Sequence, residues 1–239
     1  MSWATEFYSG KTVIVVGGTS GIGLAIATAF RDAGAVVHAT GATDAEVASA
    51  ATTGITFSKL DVRSTDDIDA FAASFTSIAV LVDCAGVNLR AAEFTLDGFT
   101  TALDINLTGA MRLALAFRPK LAGGAMLAMG SMFSFFGAPH APAYTASKTG
   151  LVGLVKSLAV AFAREDIRVN ALAPGWIETA MTAAPRANAA RFAELSARIP
   201  AGRWGTPADI APAALFLCSP LAGYITGAVL PIDGGYLVA

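Results

Sequence analysis

The sequence predicts an α/β fold: a single Rossmann-type, doubly wound parallel sheet of about seven strands, flanked by helices on both faces. Three observations carry this. Short continuous apolar runs recur along the chain, segments of helical period separate them, and the first run ends at once in a glycine-rich turn. A strand covered on both faces needs apolar residues on both, so its pattern is continuous rather than alternating.

The elements follow in order. "TVIVV" (12–16) is β-branched and apolar, and "GGTSGIG" follows it directly. A helical pattern then runs through Ile22, Ile26, Ala29 and Phe30 and stops at Gly34, a residue suited to end a helix. "AVVHAT" is a second buried strand. "GITFSKLDV" (54–62), "IAVLVDCAG" (78–86), "GAMLAMGS" (124–131), "IRVNALAPG" (167–175) and "AVLPIDGG" (228–235) repeat the theme. Without a repeat, a low-complexity tract or a linker, the chain is expected to form one domain over 1–239.

Bulk properties restrict function. Hydrophobic residues make up 54% of the 239 and charged residues 14%, with a formal net charge of -2 and no basic cluster. Nucleic acid is disfavoured as a partner, because phosphate binding needs concentrated Lys and Arg. Cys84 and Cys218 sit in apolar surroundings with no metal spacing, so free thiols and no metal are expected. The opening "MSWATEFYSGKT" lacks a charged region followed by an apolar run, so the cytoplasm is the expected compartment.

The stretch 121–147 has no Asp, Glu, Lys or Arg. Its glycines and prolines would break a membrane-spanning helix, so it is read as a buried strand running into an active-site loop, and no membrane is expected. From 100 to 121 and from 144 to 164, apolar residues cover nearly the whole helical circumference. Such helices need cover on both sides. Either a second subunit supplies it, giving a homo-oligomer (dimer or tetramer), or the C-terminal segment folds over part of it.

Two motifs carry chemistry. Gly17, Gly18, Thr19, Ser20, Gly21, Ile22 and Gly23 join a strand to a helix; glycines there permit a tight turn, close approach of a pyrophosphate and tight helix packing. Downstream, Asn106 and Ser131 are polar residues in apolar contexts, and Tyr144 and Lys148 lie four apart on a helix start. A tyrosine is a useful acid near neutral pH if its phenolate is stabilised, and an ammonium one turn away can do that. Ser131 ends a strand, where its hydroxyl could bond a carbonyl oxygen.

With these residues in order, the sequence resembles the short-chain dehydrogenase/reductase family over essentially its whole length. "GGTSGIG" resembles the family's cofactor loop, "LDV" (60–62) its adenine contact, "DCAGV" its Asn-Asn-Ala-Gly segment, and "DINLTG" contains its asparagine. "GSMFSFFGAPHAPAYTASK" resembles its Ser…Tyr-x-x-x-Lys set, and "RVNALAPGWIET", "RWGTPADIA" and "ITGAVLPIDGG" its later landmarks. The resemblance implies that Tyr144 is the acid/base, that Ser131 polarises the carbonyl, and that Lys148 binds nicotinamide ribose and lowers the Tyr144 pKa. It implies that Asn106 holds a relay water. Gly17, Thr19, Ser20, Gly21, Ile22, Gly23, Thr40, Asp61, Val62, Ala85, Gly86, Pro174, Gly175, Ile177 and Thr179 would contact the dinucleotide, with Tyr144 and Lys148. The chain departs from the pattern at Val16, where the family has Thr, and at Asp83 and Cys84, where it has two asparagines.

Cofactor choice turns on the end of the second strand, where a carboxylate selects NAD. That position is Gly41, and Asp44 and Glu46 are read as the start of the next helix; Thr40 matches a phosphate contact of NADP-dependent relatives. The cofactor is expected to be NAD(P)(H), and the reading leans to NADP(H). The substrate segment is placed at about 176–205, joined by Met132, Phe133, Phe135, His140 and 88–90. Its apolar character predicts a small to medium hydrophobic ketone or secondary alcohol. The alternatives are a 3-oxoacyl-carrier-protein reductase and a non-catalytic dinucleotide sensor or scaffold.

Overall fold

The computed structural model describes residues 3–239. Seven strands form one sheet: β1 (Thr12–Val16), β2 (Val36–Gly41), β3 (Ile55–Lys59), β4 (Val80–Asp83), β5 (Ala125–Met129), β6 (Arg168–Pro174) and β7 (Val229–Ile232). All neighbours pair parallel, in the order β3-β2-β1-β4-β5-β6-β7. The order reverses between β1 and β4, so their carboxyl ends open a crevice, the usual ligand position in such sheets.

Among the described residues, ten α-helices connect and cover them. They are α1 (Trp3–Tyr8), α2 (Gly21–Asp32), α3 (Asp44–Ser49), α4 (Thr65–Ala73), α5 (Leu96–Leu103), α6 (Gly109–Phe117), α7 (Pro142–Phe162), α8 (Ala183–Ala187), α9 (Ala189–Ala197) and α10 (Pro207–Cys218). The expected stop at Gly34 is seen: it follows the α2 cap Ala33 with φ 86°.

β1 shows why the strand pattern is continuous. Val13 and Val15 join a core with Ile26 and Phe30 of α2 and Leu217 of α10. Ile14 and Val16 point the other way, among Leu113 and Phe117 of α6 and Leu151 and Phe162 of α7. Each face of the sheet therefore has its own buried layer. The charge-free stretch resolves into β5, a short 3-10 turn at Met132–Ser134 and the start of α7.

Helix starts are fixed locally. Ser64 accepts a hydrogen bond from the Asp67 N–H at 3.1 Å and so caps α4, whose Ile68 is fully buried. Ser64→Ala is expected to cost about 1 kcal/mol of stability, read as a lowered urea midpoint with unchanged slope.

Between α5 and α6 the helix widens into one π turn at Asp104–Thr108, which contains Asn106. Such turns interrupt the regular backbone ladder and often mark functional sites. The long apolar segment from 100 onward is thus the end of α5, the π turn, α6 and a short 3-10 turn at Arg118–Lys120 rather than one helix.

Candidate active site

The crevice holds a cavity of about 840 Å³ that runs from the glycine loop past the end of β5 to α8 and α9. Gly17, Thr19, Ser20, Gly21, Ile22 and Gly23 line one end, together with Asp61, Val62, Ala85 and Gly86. Tyr144, Lys148 and Ser131 line the middle, and Pro174, Gly175, Ile177 and Thr179 the roof beside them.

The glycine loop is built for close approach. A side chain on Gly23 would stand 2.1 Å from the Gly17 carbonyl oxygen, and one on Gly17, at φ 71°, would stand 2.8 Å from the Ala85 nitrogen. Only glycine fits either place. Ser20 precedes α2 in extended conformation without a side-chain cap, so the first-turn N–H groups are not taken by it. A cradle with free helix N–H groups at the topological switch point fits the pyrophosphate of a dinucleotide.

The polar set sits at the mouth of β5. Ser131 caps the 3-10 turn, accepting from the Phe133 N–H at 3.2 Å. Ser134 accepts from the Ser131 N–H and donates to the Lys148 carbonyl at 2.8 Å, tying the turn to α7. The Lys148 ammonium donates to the Met129 carbonyl at 2.7 Å and lies 5.7 Å from the centre of the Tyr144 ring. Tyr144, Lys148, Ser131 and Asn106 are all buried.

Electrostatics depart from the expectation for Tyr144. Burial raises its pKa; the hydrogen bond to Ser131 opposes this, while the Glu93 charge adds to the rise. Ser131 is the group that favours the phenolate, while the Lys148 ammonium lies beside the ring. Burial also lowers the Lys148 pKa, against the pull of Asp83. Burial pushes the Asp83 carboxyl up to about 6, with Lys148 and the Ala85 N–H opposing. Cys84 lines the cavity, but burial and the Asp83 charge push its thiol up, which excludes a reactive thiolate.

The Asn106 side chain is engaged by protein. Its amide donates to the Val87 carbonyl at 2.9 Å and to Ser147 Oγ at 3.0 Å, and its oxygen accepts from the Val87 N–H at 2.8 Å. Both donors are taken by protein, so the side chain ties the loop after β4 to α7. Thr40 is a further correction. It is fully buried, its hydroxyl has no partner, and it is not among the cavity-lining residues. Its carbonyl instead accepts from the Gly18 N–H at 2.9 Å and so places the glycine loop. Phe135 is half exposed and stands off the cavity, whereas Met132, Phe133, His140, Trp176, Asn88 and Arg90 line it.

Two functional groups escape a reading of the sequence. Glu93, 2% exposed, accepts from the Leu89 N–H at 2.8 Å and from the Tyr144 N–H at 2.9 Å. It therefore caps α7 from 51 residues away, where Ala141 offers no side-chain acceptor. Glu46 lies in α3 but turns its carboxylate back to the Ala42 N–H at 2.6 Å, into the cavity. The T-x-x-E spacing of Thr43 and Glu46 was the available signal, since it marks a helix start whose acid can fold back.

Fold and site together define a dinucleotide-binding oxidoreductase. Known proteins agree. A family model described as enoyl-(acyl carrier protein) reductase matches residues 16–237. The 2-dehydro-3-deoxy-D-gluconate 5-dehydrogenase of Escherichia coli (strain K12) is 34% identical over 242 residues, covering 95% of this chain and 96% of that one. A 3-oxoacyl-acyl-carrier-protein reductase of Chlamydia trachomatis serovar D is 36% identical over 241 residues, covering 94% and 96%. A solved structure from Beutenbergia cavernae, described as an NAD(P)-dependent gluconate 5-dehydrogenase with NADP at low occupancy, superposes with a TM-score of 0.90 at 40% identity, covering 97% and 98%. The chain belongs to the short-chain dehydrogenase/reductase family. It is an NAD(P)-dependent oxidoreductase acting on the CH–OH group of a small molecule.

Proposed function

We propose that the chain interconverts a ketone and a secondary alcohol through Tyr144, assisted by Ser131 and Lys148. The observation that carries this is the convergence of Ser131, Tyr144 and Lys148 in one cavity with the glycine cradle. Bound dinucleotide would supply or accept the hydride. Gly17, Thr19, Ser20, Gly21, Ile22, Gly23, Asp61, Val62, Ala85, Gly86, Pro174, Gly175, Ile177 and Thr179 line its path. Ser131 orients the carbonyl oxygen, and the Tyr144 phenol hands that oxygen its proton during reduction. Lys148, held by Met129, keeps positive charge beside the ring. Asn106 and Glu93 fix the loop and the helix that carry these groups.

Met132, Phe133, Trp176 and Met181 give the substrate end an apolar wall, which supports a hydrophobic ketone or alcohol of small to medium size. A second reading rests on Arg90 and Arg191, which line the same end. Cations there suit a carboxylate, in keeping with the gluconate chemistry named for the relatives. A panel of cyclic and aryl ketones, a 3-oxoacyl thioester and a keto-aldonate, followed by NADH and NADPH absorbance, separates these readings. The expected result is turnover of ketones; turnover confined to the thioester or the keto-aldonate overturns the hydrophobic assignment.

The dinucleotide is NAD(P)(H). Gly41 puts no acid of its own at the strand end and NADP is seen with a relative, and these two observations favour NADP(H) unless an acid reaches that point from a neighbouring element. Val160 and Leu115, on α7 and α6, are 81% and 54% exposed, which supports a homo-oligomer built on these helices. Light scattering of the purified protein tests this; a monomer at micromolar concentration refutes it.

A further inference from the structure

The adenosine end of the cavity carries a carboxylate that the second strand lacks. Gly41 closes β2, and a side chain there would stand 2.8 Å from Thr19 Cγ2 and 3.0 Å from Glu46 Oε2. No larger residue fits at 41 while Thr19 and Glu46 keep their places. The Glu46 carboxylate occupies the space beside the strand end instead, held by the Ala42 N–H at 2.6 Å. Acid at this point does two things to a dinucleotide: it accepts hydrogen bonds from ribose hydroxyls, and it repels a 2'-phosphate.

The surrounding charges point the same way. Arg63 is the cation lining this end of the cavity, and Asp61 holds it with N–O distances of 2.6 to 3.1 Å. Lys59 is bound to Asp44 at 3.0 Å and does not line the cavity. Ser20 stands in the glycine loop where a cation could have met the phosphate. Glu46, Asp61 and Arg63 leave this end with a net negative charge. A 2'-phosphate would enter a field of its own sign.

We propose that Glu46 is the residue that selects the dinucleotide, and that it selects NAD(H) over NADP(H). The selecting acid comes from the first turn of α3 rather than from the end of β2, and Gly41 is what gives it room. This rests on reading the cavity as the dinucleotide site and deepens it by naming which dinucleotide.

Calorimetric titration of the purified, cofactor-free protein with NAD+ and with NADP+ tests the proposal without reference to turnover. NAD+ is expected to bind at least about tenfold tighter than NADP+. The preference should shrink as ionic strength rises, because like-charge repulsion at an exposed site is screened. Glu46→Gln keeps an acceptor for the Ala42 N–H but removes the charge, and should bring the two affinities to within about threefold of each other. Thermal melts of the variant confirm that it is folded. Tighter NADP+ binding by the unaltered protein, or a preference unchanged in Glu46→Gln, overturns the proposal while leaving the dinucleotide site standing. Failure of both nucleotides to bind overturns the site and the proposal together.

Discussion

Tyr144→Phe is expected to lower kcat for ketone reduction by about 10²- to 10⁴-fold, the range a positioned proton donor contributes. The substitution removes one oxygen from a buried ring and leaves its packing against Phe133, 6.2 Å away centre to centre, in place. Folding and dinucleotide affinity should therefore change little, and a calorimetric titration checks the latter. A drop in kcat with near-normal nucleotide binding assigns the proton to Tyr144. Equal kcat in both proteins would mean that solvent or another group protonates the oxygen, and would favour the reading of a dinucleotide sensor.

The pH dependence follows from the same geometry. Burial first, and then the nearby Glu93 charge, raise the Tyr144 pKa, so the phenol stays protonated through neutral pH. Reduction needs the phenol and should hold its rate across neutral pH. Oxidation needs the phenolate and should rise steadily into the alkaline range. Removing the Glu93 charge with Glu93→Gln, which can still accept from the Tyr144 N–H, should move the oxidation limb to lower pH. A limb that stays put would show that Glu93 acts on Tyr144 through position alone.

Much of this was readable from residue order. The strands are readable because both faces of the sheet are buried, which forces runs such as "VIVV" in β1 and "AMLAM" in β5 to be apolar at every position. Ser131, Tyr144 and Lys148 are readable because each polar group stands in apolar sequence at a helix or strand end. What escaped depends on side-chain direction or on distant partners. Glu93 meets the N–H of Tyr144, 51 residues on, and no local pattern announces that. Glu46 begins a helix by spacing, yet its carboxylate turns back to Ala42. Thr40 and Phe135 fail for the opposite reason: a buried and a solvent-facing position look alike in sequence when the neighbours are small or apolar.

Asp83→Asn is expected to remove a pH dependence of stability of about 3 kcal/mol. Asp83 ends β4, where the family resemblance has Asn, and it is 8% exposed. Its pKa is raised from the ordinary 3.8 to about 6, by burial above all. An acid whose folded pKa is raised binds its proton more tightly in the folded chain than in the unfolded one. Well below pH 4 both states are protonated and the group has no effect. As pH rises through 6 the folded state must ionise a buried carboxyl, and stability is lost. Asn cannot ionise, yet its amide oxygen can still accept from the Ala85 N–H, bonded at 3.0 Å in Asp83. Any hydrogen bond left unmade by the new amide weighs equally at both pH values, so it cancels when the two are compared. Urea unfolding of both proteins at pH 4 and pH 7 should thus show the variant gaining about 2 kcal/mol relative to the parent between the two, the rest of the effect lying below pH 4. A gain below about 1 kcal/mol would mean that the buried carboxyl is ionised with little penalty in the fold, its charge balanced by Lys148. The same substitution takes away the acid that holds the Lys148 charge in place, so Lys148 should lose its proton at lower pH, and the alkaline limb of activity should shift with it.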